Sequence, residues 1–266
     1  MTALHALPFN SGMDSTSLSI LYEDNHLLAV NKPAGLATMG VPSGRPTLLT
    51  LAKEYIRRRY NKPGNVYLGV VSRLDAPVTG VVLLARTSKA ARRLTEQFRS
   101  GSVKKIYWAL VEGTLRPAAG ECVNWLGQDK RHRRMWVVGP TVPDAKEARL
   151  RYRFVRRVEG NALVEIDLET GRKHQIRVQM ADRGHPVLGD RKYGSQHRWP
   201  KGIALHARRL RISHPVGGKP LELEAPLPEA WAEEVGSGIA DCRRSALAGR
   251  SKEVETGKRP DHEAGH

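Results

Sequence analysis

Val71-Ser72-Arg73-Leu74-Asp75-Ala76-Pro77-Val78-Thr79-Gly80 places one acid beside an arginine, between two apolar runs. The run before it is Tyr67 to Val71, and the run after it is Val81 to Ala85. Both read as strands, and the second, short and unbroken, is predicted to be buried. Pro77 and Gly80 punctuate the connection. If the segment is extended, Arg73 and Asp75 point to one side and Leu74 to the other. A carboxylate on a rigid strand-to-strand loop is a candidate catalytic acid. A local Arg–Asp ion pair that only closes the loop is the plainer alternative.

Composition narrows the class. The 266 residues are 40% apolar and 27% charged, which fits a globular chain able to bury a core. The net charge of +17 favours a polyanion partner, nucleic acid or an anionic membrane. No apolar run approaches the roughly 18 residues that span a bilayer. Met1 to Met13 lacks the pattern of a secretory signal, so no membrane association or export is expected. Cys122 and Cys242 lie far apart in dissimilar segments, so a reducing cytoplasm is the expected compartment. The ten histidines are scattered, and no metal site is predicted.

Outward from the loop, residues 1–17 read as a flexible arm and order is expected to begin at Leu18. Leu18 to Tyr22 and His26 to Val30 form two short strands around a Glu23-Asp24-Asn25 turn. Thr47 is predicted to cap a helix through Arg59, with Leu48, Leu51, Ala52, Tyr55 and Ile56 on one face. Ser88 is predicted to cap a second helix through Phe98, and Ile106 to Val111 reads as a strand. Ala148, Leu150, Tyr152 and Phe154 alternate with Glu147, Arg149, Arg151 and Arg153. After Glu159-Gly160-Asn161, Ala162, Val164, Ile166 and Leu168 alternate with Leu163, Glu165, Asp167 and Glu169. This predicts an antiparallel hairpin with one face in the core. Its arginines are expected to pair across strands with the acids rather than to bind RNA. Residues 233–266 hold seven acids and six bases and read as a disordered tail. The remaining body, with 38 bases against 20 acids, carries the positive field.

Several ordered segments resemble the RluA-type family of RNA pseudouridine synthases. They are Tyr22 to Leu36 with Asn31-Lys32-Pro33-Ala34-Gly35, the Arg73-Leu74-Asp75 loop with Thr79-Gly80, and Lys104 to Gly113. Glu169-Thr170-Gly171-Arg172-Lys173-His174-Gln175-Ile176-Arg177-Val178 follows, then His185-Pro186, Gly189-Asp190, Tyr193-Gly194 and Leu205-His206-Ala207 through Pro215. The resemblance implies an α+β pseudouridine synthase fold over residues 18–232, a largely antiparallel mixed sheet flanked by helices. Ser72, Val78, Thr79 and Gln179 stand where relatives more often carry other residues. Seventeen residues cannot hold the S4 module many relatives carry, so the catalytic domain is expected to bind RNA alone, as a monomer.

The implied reaction turns uridine into pseudouridine in structured ribosomal or transfer RNA, without cofactor. The C1′–N1 bond breaks, uracil turns, C5 bonds to C1′, and the C5 proton leaves. By resemblance Asp75 is the essential carboxylate, attacking C1′ or assisting removal of the 2′ proton. Arg177 matches the arginine that pairs with it, and Tyr107 matches an active-site tyrosine that stacks on uracil and takes up the C5 proton. Arg73 matches an arginine beside the flipped nucleotide, where a guanidinium fills the gap a base leaves. Lys32, Arg172 and Lys173 sit in matched motifs and are candidate RNA contacts, with loop packing the alternative for the two lysines. Arg57 to Arg59 and Lys130 to Arg134 are weaker candidates. His174 and Gln175 are expected to organise the start of a short helix and so aim Arg177. Rival readings are a non-catalytic RNA-binding protein on the same fold and a hydrolase that releases uracil.

Overall fold

A computed structural model describes residues 18–42 and 44–235. The chain opens with an antiparallel hairpin of Ser19–Glu23 (β1) and Leu27–Lys32 (β2). Asp24 closes it, its Oδ1 accepting the His26 and Leu27 N–H groups at 2.7 Å. Helix α1, Leu48–Arg59, starts at Thr47 as expected. The Thr47 hydroxyl accepts the Thr50 N–H while Thr50 Oγ1 accepts the Thr47 N–H, a reciprocal cap. There follow β3 (Gly69–Val70), β4 (Thr79–Ala85), α2 (Ser88–Arg99), β5 (Lys104–Val111), β6 (Ala119–Asp129) and β7 (Arg134–Val138). Next come β8 (Lys146–Val158), β9 (Asn161–Leu168), α3 (Gln175–Asp182), β10 (Leu205–Ser213) and β11 (Pro220–Glu224). Glu229–Val235 forms helix α4, a separate unit beginning after Pro228. Among the described residues, no helix is long and apolar enough to cross a membrane.

One mixed sheet runs β1-β2-β4-β10-β5-β9-β8-β6-β7, with β3 beside β4 and β11 beside β10. Every pairing is antiparallel except β4 with β10. The unbroken apolar run in β4 has the predicted cause: it is buried on both faces. Val81, Leu83 and Ala85 pack with Ala90 and Leu94 of α2. Val82 and Leu84 turn the other way, against Leu48, Ala52 and Ile56 of α1. A third cluster joins Val178 of α3 to Leu126 and Ala148. The β8–β9 hairpin forms as read, and its arginines pair as expected: Arg153 meets Glu165 at 2.9 Å and Arg151 meets Glu169 at 3.0 Å.

Several local expectations need correction. The run from Tyr67 yields a strand of only two residues. From Ser72 on, a side chain replaces the ladder, its Oγ accepting the Leu83 N–H at 3.0 Å. The α2 cap is Thr87, one residue before Ser88, and its hydroxyl accepts the Ala90 N–H at 3.1 Å. Leu163, read as outward-facing, is fully buried, near a bulge between Phe154 and Arg156 of β8. Strands β6 and β7 had no clear signal because Gly120, Gly127 and a basic turn break their alternation. Helix α4 reaches Val235, inside the segment read as tail; the rest of that tail and residues 1–17 lie outside the described residues.

Gly80 makes the one parallel junction possible. Its φ is +113°, and a Cβ there would lie 2.2 Å from the Ala207 carbonyl oxygen of β10. Gly80→Ala is therefore expected to cost about 3 kcal/mol, because strain and a backbone clash add. A urea midpoint equal to wild type would contradict this account of the junction.

Candidate active site

The 73–80 loop is held from beneath by the segment that follows β2. Thr38 Oγ1 donates to the Leu74 carbonyl at 2.9 Å and accepts the Leu74 N–H at 3.1 Å. The Gly35 N–H donates to the Ala76 carbonyl at 2.8 Å. Lys32 is fully buried, and its ammonium donates to the carbonyls of Pro33 (2.8 Å), Leu36 (2.8 Å) and Ala76 (3.1 Å). Burial lowers its pKa to about 7, opposed by the charge of Asp75. Lys32 thus takes the loop-packing role: its donors are committed to carbonyls, and no face is open to a phosphate. On the far side, the Pro77 carbonyl accepts the Ile203 N–H at 3.2 Å.

Above this loop, Arg177 of α3 joins two carboxylates. Its Nη1 donates to Asp75 Oδ2 at 2.9 Å. Its Nε and Nη2 donate to Asp190 Oδ2 and Oδ1 at 2.6 and 2.9 Å, a bidentate fork. Burial alone would lower the guanidinium pKa; the bonds to Asp190 and Asp75 outweigh it, and the pKa rises. Tyr193 stacks over the same guanidinium at 5.0 Å. Gln175 shapes the turn before α3 as expected. Its Oε1 accepts from the Thr170 hydroxyl (2.7 Å) and the Arg172 N–H (3.0 Å), and its Nε2 donates to the Arg149 carbonyl (3.0 Å).

His174 departs from expectation. It sits at the N-cap position with φ +54° and makes no side-chain cap bond. Its Nδ1 lies 2.7 Å from the Tyr193 hydroxyl and its Nε2 lies 3.7 Å from Asp75 Oδ2. Burial lowers its pKa to about 4, with Asp75 opposing and Arg177, Lys173 and Lys192 reinforcing. The ring is therefore neutral at pH 7, so this approach to Asp75 is not an ion pair. Tyr107, on β5 opposite Ala207 and Ile166, is partly exposed. Burial raises its phenol pKa and the charge of Asp75 raises it further, which places that charge within reach of the phenol.

The other candidates divide. Arg73 is exposed on the loop itself, and Lys173 is exposed next to His174. Arg172 is exposed and donates to the Glu147 carbonyl at 2.8 Å. Arg57 and Arg58 pair with Glu54 and Arg59 with Glu23, so these three form a solvated face. The Lys130–Arg134 run is the β6–β7 turn, where His132 and Arg134 pair with Asp129. The parts of Asp190 and Tyr193 in the site were not anticipated, whereas the loop packing of Lys32 was one of its two readings. Gly189-Asp190 and Tyr193-Gly194 were visible as motifs, but nothing in their spacing pointed at Arg177. One spacing runs against the expectation of no metal site: His262-Glu263-Ala264-Gly265-His266 has a zinc-ligand pattern. It lies outside the described residues.

The frame is a mixed sheet of this order, with an Arg177–Asp75 pair over the loop between two of its strands. The chain belongs to the RluA-type RNA pseudouridylate synthase family, whose model matches residues 26–182. It is 35% identical over 266 residues to Ribosomal large subunit pseudouridine synthase D of Xanthomonas campestris pv. campestris, covering 94% of this chain and 76% of that one. It is 34% identical over 241 residues to the Yersinia pestis protein of the same name, covering 84% and 71%. The solved structure of Human RNA Pseudouridylate Synthase Domain Containing 4 matches at a TM-score of 0.69 and 26% identity, over 83% of this chain and 94% of that one. Human RNA Pseudouridylate Synthase Domain Containing 1 shares the fold at a TM-score of 0.70 and 23% identity, over 94% and 100%. The protein is an RNA pseudouridine synthase, an isomerase acting on RNA.

Two predictions follow from this geometry. Lys32→Met leaves the Pro33, Leu36 and Ala76 carbonyls without their donor, so turnover should drop about 100-fold through a loosened Asp75 loop. Single-turnover rates test this, and a rate within twofold of wild type would remove Lys32 from the site. The second concerns pH. His174 and His206 titrate at about 4 and about 3 in the folded protein, both lowered by burial from 6.5. From pH 6.5 down to about 4 the unfolded chain binds protons that the folded chain does not. Stability should therefore fall as pH falls, by up to about 1.4 kcal/mol per pH unit for each histidine. Denaturant midpoints at about pH 6.5 and about pH 5 measure the slope; a flat profile would contradict two neutral buried histidines.

Proposed function

We propose that this enzyme isomerises specific uridines of large-subunit ribosomal RNA, with Asp75 as its essential carboxylate. The observation that carries the reading is the Arg177 bond to Asp75, backed by the bidentate Asp190 fork. It fixes the rotamer of the acid, which attack at C1′ and removal of the 2′ proton both require. Tyr107 is assigned the face on which the extracted uracil stacks. Burial and the charge of Asp75 raise its pKa, so the phenol stays protonated and is not assigned as a phenolate base. Arg73 is assigned the gap left by the flipped base, and Arg172 and Lys173 the neighbouring phosphates. Extraction from a helix costs roughly a few kcal/mol, which such contacts offset. The choice of ribosomal RNA rests on the names of the two bacterial relatives. A cytoplasmic monomer is the form proposed, since one domain carries all the assigned groups.

Tritium release from [5-³H]uridine-labelled, unmodified RNA tests this. Wild type is expected to release tritium from a large-subunit ribosomal RNA pool and not from a transfer RNA pool. Asp75→Asn should release none while still binding RNA. Release from transfer RNA alone would overturn the substrate, and release by Asp75→Asn would overturn the acid.

A further inference from the structure

His174 is a buried polar group that the reaction as described does not use. Its backbone lies at φ +54°, a conformation that costs a histidine free energy and persists only where surroundings impose it. Its ring is enclosed, with 10% of the side chain exposed, between Asp75 and Tyr193. The two ring nitrogens face different partners, and the hydrogen bonds around Tyr193 decide which one carries the proton.

The Met135 N–H donates to the Tyr193 hydroxyl oxygen at 3.0 Å. That oxygen therefore already accepts one hydrogen bond from a fixed backbone donor. Burial raises the Tyr193 pKa, so the hydroxyl keeps its own proton. Its partner at 2.7 Å is His174 Nδ1, and with the oxygen already accepting from Met135 the arrangement favours the hydroxyl as donor and Nδ1 as acceptor. Burial keeps the imidazole neutral. A neutral ring with Nδ1 as acceptor carries its hydrogen on Nε2, and Nε2 is the atom that faces Asp75 Oδ2. Arg177 Nη1 donates to the same oxygen. Among the described residues, both groups that approach the Asp75 carboxylate do so at Oδ2, and none bonds Oδ1.

We propose that His174 is a positioning residue for the isomerisation: with its tautomer set by Tyr193, its Nε2–H secures Asp75 Oδ2 beside Arg177 and leaves Oδ1 to meet the ribose. The separation of 3.7 Å is just beyond hydrogen-bonding range, and a small side-chain rotation closes it. Such contacts commonly tighten when substrate fills a site. A neutral donor suits this place. It orients the carboxylate without a second full positive charge, which would weaken Asp75 as nucleophile or base. The inference rests on the assignment of Asp75 made above.

Two measurements test it. The first reads the tautomer in the wild-type protein by ¹⁵N NMR of labelled histidine. His174 should show hydrogen on Nε2, shifting to a mixture in Tyr193→Phe; hydrogen on Nδ1 in the wild type would overturn the proposal. The second is a set of single-turnover rates, with RNA affinity and thermal midpoint as controls. Asparagine tolerates the left-handed backbone but cannot reach Asp75, so His174→Asn should fold, bind RNA normally and lose about 100-fold in rate. His174→Gln restores an N–H near the Nε2 position and should recover to within about 10-fold of wild type. Tyr193→Phe should slow the wild type about 10-fold, yet have no further effect in the His174→Gln background, because an amide has no tautomer to set. Equal Tyr193→Phe effects in both backgrounds would assign Tyr193 to stacking on Arg177 and overturn the proposal. Asp75→Asn separates the two assignments. Full activity in that variant would remove the acid, while the NMR reading would still decide the histidine geometry.

Discussion

An arginine with only 6% of its surface exposed must have its guanidinium donors met inside the protein, and Arg177 meets them with two carboxylates. The Asp190 fork fixes the plane of the group, because two parallel bonds leave no free rotation. With Nε and Nη2 committed, Nη1 points in one direction, and Asp75 lies there. The direction of that bond is thus decided by α3 and the turn at Asp190, not by the loop that carries the acid. Gln175 holds the start of α3 to the β8 backbone at Arg149, so the register of the β8–β9 hairpin is passed on to the site.

Charge balance explains why these groups occur together. Asp75 and Asp190 bring two negative charges, Arg177 brings one positive charge, and the buried Lys32, with its pKa lowered to about 7, brings part of a second. The balance makes burial tolerable, since a lone buried charge costs several kcal/mol while a compensated set costs much less. It also links distant parts of the chain. Lys32 and Asp75 are joined through the Ala76 carbonyl, and Asp75 and Arg177 lie 102 residues apart in sequence. Arg177 bonds both carboxylates and Lys32 ties down the Ala76 carbonyl, so the acid is held from two sides. Such rigidity suits the role proposed for Asp75.

The parts legible in the sequence were those whose signal is local. The β4 run, the Thr47 cap and the β8–β9 alternation each encode an environment within a few residues. Fold class and the pairing of Arg177 with Asp75 came from ordered motifs rather than periodicity. What escaped reading depends on contacts across the fold. Thr87 and Ser88 are adjacent and chemically alike, and only the path of the chain selects the cap. Leu163 occupies a polar-face position by count, yet tertiary packing buries it. Lys32 in isolation is a cation in a motif; only the Pro33, Leu36 and Ala76 carbonyls around its ammonium make it an anchor. His174 was weighed as a helix-start residue because proximity to Asp75 and Tyr193 cannot be read from spacing.

The distribution of cations bears on how such a basic body recognises RNA at one place. Much of its arginine is committed locally: Arg57, Arg58, Arg151, Arg153 and Arg211 all have carboxylate partners. Such surface pairs contribute little to stability, but they cancel field where it is not needed. Arg73 and Lys173 are exposed beside Asp75 and His174, and the charges of Lys173 and Lys192 are felt at the His174 ring. Positive potential therefore survives around Asp75, where the proposed reaction would bring a phosphate backbone. A polyanion drawn by the net charge would meet paired arginines along the β8–β9 hairpin and unpaired cations around the loop. Burial is what chiefly lowers the pKa of His174, and Arg177, Lys173 and Lys192 add to it, so cations at this edge of the site favour the neutral ring as well.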